Sequence, residues 1–295
     1  MKKNVSQRGP YILLIAPSFL FLFALTFYPL YFAVKNSFYY WNLATSPKPV
    51  SFIGLDNYIN VFKFTPFLAS LRNTLILAFV GVAIELFFGF LIAMALASQL
   101  KYLTYVRALL IMPVTIAPIV VGFMFRYLYW DKVGFIPWLA DVFNIPEPDE
   151  GFLGSKITAL GAVLLPDIWQ WTPFFAIVLY ASIIAVSRDL IDAAKVDGAG
   201  QIRLIWSVIL PTIRPILFVI VLLQFMRLFN SFDIVYILTD GGPGDSTRTL
   251  SYGLFREGLR NFNIGVASAY TVVMVIIISL LVFIYFKLFN KRAAL

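Results

Sequence analysis

The chain has no cysteine and no histidine among its 295 residues. That removes disulfides, thiolate and imidazole metal ligands, and every catalytic arrangement built on His or Cys. Charge is scarce as well. Only 13% of residues are Asp, Glu, Lys or Arg, against roughly a quarter in an ordinary soluble domain, so such a chain cannot cover its surface in water. No G-x-x-x-x-G-K-[ST] segment occurs, which leaves no phosphate-cradling loop for a nucleotide. What is abundant is apolar sequence: 61% hydrophobic residues and a mean hydropathy of +0.87. The apolar residues come in blocks of the length, about 20 residues, that crosses a bilayer.

Six such blocks read as transmembrane helices: Tyr11–Val34, Thr74–Ala97, Ala108–Tyr129, Thr158–Val186, Thr212–Leu238 and Ile264–Phe286. The first follows Lys2, Lys3 and Arg8, but its apolar stretch is too long for a signal-peptide core and no small-x-small cleavage site follows. It is expected to remain as a helix. With both termini in the cytoplasm, the inner segments hold twelve basic residues against Asp189, Asp192 and Asp197, while the outer loops hold eight basic against nine acidic. That asymmetry fixes the orientation by the positive-inside rule, and it makes the +8 formal charge a topology signal rather than a nucleic-acid patch. Three segments are expected: 1–70, the first helix and external loop; 71–287, the transmembrane core with the cytoplasmic loop 187–215; and 288–295, a cytoplasmic tail. Pro146 and Pro148 are expected to keep the Trp130–Ile157 loop irregular.

The loop after the fourth span reads as a short helix with a programmed stop. Ser187 is placed to cap it, Asp189 complements the dipole in its first turn, and Gly198 suits its C-terminal end. Leu190, Ile191, Ala194 and Val196 give it an apolar side. Pro211 is expected at the first turn of the next helix.

The residues Asp192, Ala193, Ala194, Asp197, Gly198, Ala199, Leu210 and Pro211 resemble the EAA loop of ABC-importer permeases, with Asp192 in place of the usual Glu. Phe52-Ile-Gly-Leu-Asp-Asn57-Tyr58 resembles a segment in the first external loop of carbohydrate-type permeases. Leu238-Thr-Asp-Gly241-Gly242-Pro243-Gly-Asp-Ser-Thr247 is similar to an external loop of their maltose and glycerol-phosphate branch. The resemblance implies an all-α fold of the type I importer class, with six transmembrane helices and a cytoplasmic coupling helix, in the bacterial cytoplasmic (inner) membrane. It implies a transport subunit rather than an enzyme, with no catalytic residue, metal or cofactor of its own. ATP and Mg would be bound by a partner ATPase dimer docked on the coupling loop. It further implies a second, different permease subunit, an extracytoplasmic substrate-binding protein touching Gly241, Gly242 and Pro243, surrounding membrane lipid, no nucleic acid, and a sugar or sugar-like cargo.

Ionisable residues within a span cost roughly 2.5–3.5 kcal/mol at mid-helix on insertion scales, so each needs a reason. Asp167, Gln170, Trp171 and Phe174 follow helical spacing on the fourth span, between Pro166 and Pro173. Gln224, Arg227, Asn230 and Asp233 follow on the fifth. At 1.5 Å per residue, Asp167 to Trp171 lie about 14–20 Å in from Thr158, near the midplane where transporters hold cargo. Polar groups for hydroxyls beside an aromatic face suit a sugar, and the shortage of basic residues favours a neutral one. Glu85, on the second span, has two readings: a structural partner of Arg227, or a cavity wall. A secondary transporter using Glu85, Asp167 and Asp233 as ion sites is the alternative, and it leaves Asp192–Pro215 without a role. A membrane-embedded enzyme has no support.

Overall fold

A computed structural model describes residues 8–98 and 103–293; Lys2, Lys3 and Lys101, used in the topology count, lie outside them. In chain order the elements are α1 (Arg8–Asn36), β1 (Tyr39–Tyr40), β2 (Ser51–Phe52), α2 (Asp56–Phe64), α3 (Phe67–Ala97), α4 (Leu103–Thr115), α5 (Pro118–Leu128), α6 (Phe135–Val142), α7 (Gly151–Gly154), α8 (Ala159–Ile184), α9 (Arg188–Val196), α10 (Gln201–Leu204), a π-helical turn (Ile205–Ile209), α11 (Leu210–Phe229), α12 (Asp233–Leu238), α13 (Leu250–Phe255), a second π-turn (Arg256–Arg260) and α14 (Ile264–Ala293). Among the described residues, five helices are long and apolar enough to cross a membrane, and a bent pair makes a sixth span.

Contacts divide the chain into two compact units, one of residues up to Pro66 with Leu254–Ser279, the other of Phe67–Gly253 with the chain from Leu280 onward. In the first unit, β1 and β2 form an antiparallel ribbon pairing Tyr39 with Phe52. Gly54, at φ +60°, turns the chain into α2, a conformation that costs glycine nothing. Asn57 then reaches back, its Nδ2 donating to the carbonyls of Ser37 (2.9 Å) and Tyr39 (2.8 Å). The Tyr58 hydroxyl meets Ser37 Oγ at 2.8 Å. Gly265 passes so close to this knot that a Cβ there would lie 2.5 Å from the Tyr39 carbonyl. The Gly, Asn and Tyr of the external motif thus close a turn, while Phe52 and Leu55 stay exposed.

The second unit is built on close crossings of α3 with α8 and α11. Gly89 lies directly against Phe175 and Ala176, and Gly81 against Leu164 and Leu228. Water does not drive helices together in lipid, so small residues that let backbones approach supply the packing instead. Leu77, Phe175, Leu179, Ile213 and Leu228 fill the buried seams.

Several expectations change here. The third span is not one helix: Arg107–Thr115 and Pro118–Leu128 meet at 98°. Pro118 forces Ala117 out of the α region, to φ −61°, ψ 135°, as the residue before a proline generally is. The fifth apolar block starts earlier than expected, at Gln201, and is interrupted at Asn230, so that α12 is a separate helix packed on α5 through Gly122 and Ile237. Pro211 lies in the first turn of α11, as expected, but the helical stretch does not begin there. The chain is already helical from Gln201, and the π-turn Ile205–Ile209 precedes the proline; a proline supplies no N–H to the preceding turn, and a π-turn is one way to absorb that. The Trp130–Ile157 loop carries the two-turn helix α6, which includes Pro137, before Pro146 and Pro148. α8 runs unbroken through Pro166 and Pro173. Pro166 cannot bond the Ala162 carbonyl, and the Tyr129 hydroxyl donates to it instead at 3.0 Å.

Candidate substrate pathway and coupling surface

Three helices bring their charged residues to one point. Arg227 of α11 donates from Nη1 to Asp167 Oδ1 (2.9 Å) and from Nη2 to Asp167 Oδ2 (2.6 Å), a two-pronged pair with α8. The same Nη2 lies 3.5 Å from Glu85 Oε1 of α3, and Gln224 Nε2 donates to Glu85 Oε2 at 2.7 Å. The guanidinium also lies over the Trp171 ring, 4.4 Å from its centre, where the ring face attracts a cation. Phe174 meets Trp171 edge-on. Glu85 and Asp167 are buried, and two carboxylates around one guanidinium leave no net positive charge there. Glu85 thus lies within ion-pair distance of Arg227.

Asp167, Trp171, Phe174, Gln224 and Arg227 come together as expected; the others do not. Gln170 turns away, its Nε2 donating at 2.6 Å to the carbonyl of Ile116, in the break between α4 and α5 where that carbonyl has left the helix ladder. Asn230 caps the end of α11, exposed, with its Nδ2 on the Met226 carbonyl. Asp233 opens α12, outside the cluster. Around the cluster, Trp171 Nε1, Arg227 Nε and Gln170 Oε1 are buried without a hydrogen-bond partner, two donors and an acceptor of the kind that buried polar groups rarely leave unmet.

A cleft of about 460 Å³ that sequence reasoning missed is lined by Arg126, Tyr127, Trp130 and Asp131, with Tyr127 and Trp130 stacked. Its residues straddle the end of a span and its loop, and their spacing carries no recognisable signal.

The coupling-loop residues sit on α9 and its exit. No residue of α9 is buried. Ile191 and Ala194 turn partly inward, while Leu190 and Val196 are exposed, and exposed Ile202 and Trp206 follow on the next turns. The Ser187 side chain makes no capping bond, contrary to expectation. Asp197 is the last half-helical residue, and Gly198 follows at φ +80°, with Ala199 N–H closing on the Ala194 carbonyl at 2.9 Å. Asp192 pairs with Lys195 at the surface, 3.4 Å apart.

In the loop expected to be external, Gly241 is buried against Tyr252, at φ +81°, and a Cβ there would lie 2.5 Å from the ring. It cannot present itself to a partner; Gly242 and Pro243 are half-buried and Gly244 is exposed. The loop is anchored from beneath: Asn73 Nδ2 donates to the carbonyls of Asp245 (2.9 Å) and Arg248 (3.1 Å), and Leu250 N–H donates to Thr74 Oγ1 at 2.9 Å.

Long apolar helices around a buried polar cluster, with a short helix between two spans that buries none of its residues, are the architecture of a multi-spanning membrane protein. The chain matches, over residues 3–295, the family of binding-protein-dependent transport system inner membrane components, and it belongs to that family: it is a permease subunit of an ABC importer. It is 31% identical over 290 residues to the trehalose transport system permease protein SugA of Mycobacterium tuberculosis, covering 98% of this chain and 92% of the relative. It is 30% identical over 242 residues to the trehalose/maltose transport system permease protein MalF of Thermococcus litoralis, covering 82% and 81%. A solved bacterial ABC transporter involved in the import of the acidic polysaccharide alginate shares the fold, with a TM-score of 0.81 at 18% identity over 97% of this chain and 96% of that one. Family membership disfavours the gradient-driven alternative.

Proposed function

We propose that this permease imports a neutral sugar, delivered by an extracytoplasmic binding protein and driven by a separate ATPase dimer that holds ATP and Mg. The observation that carries the neutral cargo is the pairing of Arg227 with Asp167 and Glu85, which spends the cluster's positive charge within the protein. Trp171 Nε1 and Arg227 Nε remain for hydroxyls, which can accept from them, and Trp171 with Phe174 offers an aromatic wall. The relatives named for trehalose and maltose support a saccharide.

Coupling runs through Asp192, Ala193, Ala194, Asp197, Gly198 and Ala199, with Leu210 and Pro211 at the base of the following helix. The exposed Leu190, Val196, Ile202 and Trp206 widen that surface. A second, different permease subunit completes the pathway, and the binding protein meets the loop around Gly242, Pro243 and Gly244. Both termini face the cytoplasm, on the strength of the basic-residue distribution. The expected segments 1–70, 71–287 and 288–295 serve respectively as first helix and loop, transport core and tail.

The test is reconstitution of the chain with its genomic neighbours in proteoliposomes. Uptake of a labelled disaccharide that requires both ATP and the binding protein is the expected result. Uptake that persists without ATP and collapses with an ion gradient overturns the reading.

A further inference from the structure

Away from the polar cluster, a cleft of about 360 Å³ opens where α3, α11 and α14 converge, walled by Ala83, Leu86, Leu222 and Leu281. A second cleft, about 350 Å³, adjoins it: both are lined by Val221, Tyr285 and Leu288, and the second also by Arg214 and Phe289. Tyr285 stacks on Phe218 with ring centres 4.6 Å apart, and its hydroxyl donates to the Phe218 carbonyl at 3.0 Å, so the shared wall is fixed. The Arg214 guanidinium lies over the Phe289 ring at 5.3 Å, while Lys287 of α14 lines neither cleft. Among the described residues, no acidic residue lines either cleft. Arg214 and Phe225 are separated along α11 by about 16 Å, so the groove has a long apolar arm and a cationic end.

We propose that this groove holds an anionic phospholipid, its phosphate on Arg214 and one acyl chain between α3, α11 and α14 toward Phe225. An apolar slot with a basic residue at its mouth matches the two halves of that molecule, since hydrocarbon fills the slot and basic pockets between membrane helices attract anionic headgroups. An apolar helix of another subunit would use the slot but would gain nothing from Arg214.

The assembled transporter, purified in mild detergent, is stripped of lipid and titrated with phosphatidylglycerol or phosphatidylcholine of identical chains, with adducts counted by native mass spectrometry. The wild type binds phosphatidylglycerol preferentially, by about fivefold for each basic residue engaged. Inorganic phosphate does not displace it. Arg214→Gln abolishes the preference, Arg214→Lys keeps it, and Ala83→Phe, which fills the slot, lowers binding of both lipids. Lys287→Gln, exposed and outside the cleft lining, keeps the preference, and its loss there would also count against the groove. Equal binding of the two lipids, an unchanged preference in Arg214→Gln, or a photocrosslinker at Leu281 that captures the partner permease instead of lipid overturns the proposal.

Discussion

Arg227 grips Asp167 with both terminal nitrogens, at 2.9 and 2.6 Å, across sixty residues of sequence. The pair ties α11 to α8 at the depth where a permease must also open a path. Removing one member of a buried pair leaves the other charged and unpaired, which costs about 3–5 kcal/mol. Asp167→Ala is therefore expected to lower the melting temperature of the purified complex, and Asp167→Leu combined with Arg227→Met to recover part of the loss. Equal melting of Asp167→Ala and wild type would show that the pair does not hold the helices.

Trp171 separates transport from folding. Trp171→Phe keeps a ring beside Arg227 but loses Nε1–H, and Trp171→Ala loses both. Affinity for cargo should fall in the order wild type, Phe, Ala, with ATPase activity in the absence of cargo retained. Radiolabelled uptake in proteoliposomes measures this, and unchanged uptake affinity in Trp171→Ala would take the residue out of the pathway.

Gly198 sits at φ +80° with open space around it, so only backbone strain opposes a side chain there. A left-handed residue other than glycine costs about 1–2 kcal/mol, with Asn tolerated best. Gly198→Pro should abolish cargo-stimulated ATP hydrolysis while the chain still inserts, and Gly198→Asn should keep most of it. Normal stimulated hydrolysis in the proline variant would contradict the coupling role of α9.

Gly241 faces a different obstacle, the Tyr252 ring. Gly241→Ala combines positive φ with a 2.5 Å approach, and should weaken stimulation by the binding protein through a displaced loop. Gly244→Ala shares the positive φ (+55°) but meets only the flexible end of Lys156, and should do less. A larger defect in Gly244→Ala would place the important constraint at the tip instead.

Tyr129 serves a proline. Tyr129→Phe leaves the Ala162 carbonyl without its donor, a loss of about 1–3 kcal/mol for a buried acceptor. Thermal unfolding of the complex should register it; no change in melting would mean that the carbonyl finds another donor.

Much of this was legible in sequence. Apolar runs reveal spans because lipid cannot satisfy a stray backbone group, which forces continuous helix. The stop at Gly198 was legible because left-handed backbone favours glycine. The break at Ile116 was not: Ala108–Tyr129 was read as one span although it contains Pro113 and Pro118, and proline is tolerated inside α8 and α11, so proline alone does not distinguish a bend from a straight helix. What distinguishes them is whether a neighbour receives the freed carbonyl, as Gln170 does for Ile116 and Tyr129 for Ala162.

By itself, then, the sequence determined that the chain lives in a membrane, that it has no His- or Cys-based chemistry, and that it carries a loop resembling the EAA loop of ABC-importer permeases. Those properties depend on composition and short-range spacing. Only the tertiary structure decided that Arg227 belongs to Asp167 and Glu85, that Gln170 serves the bend rather than the cluster, and that Gly241 is buried. Each of those depends on which helix faces which, and facing is set by crossings such as Gly89 on Phe175 and Gly81 on Leu228, between positions far apart in the chain.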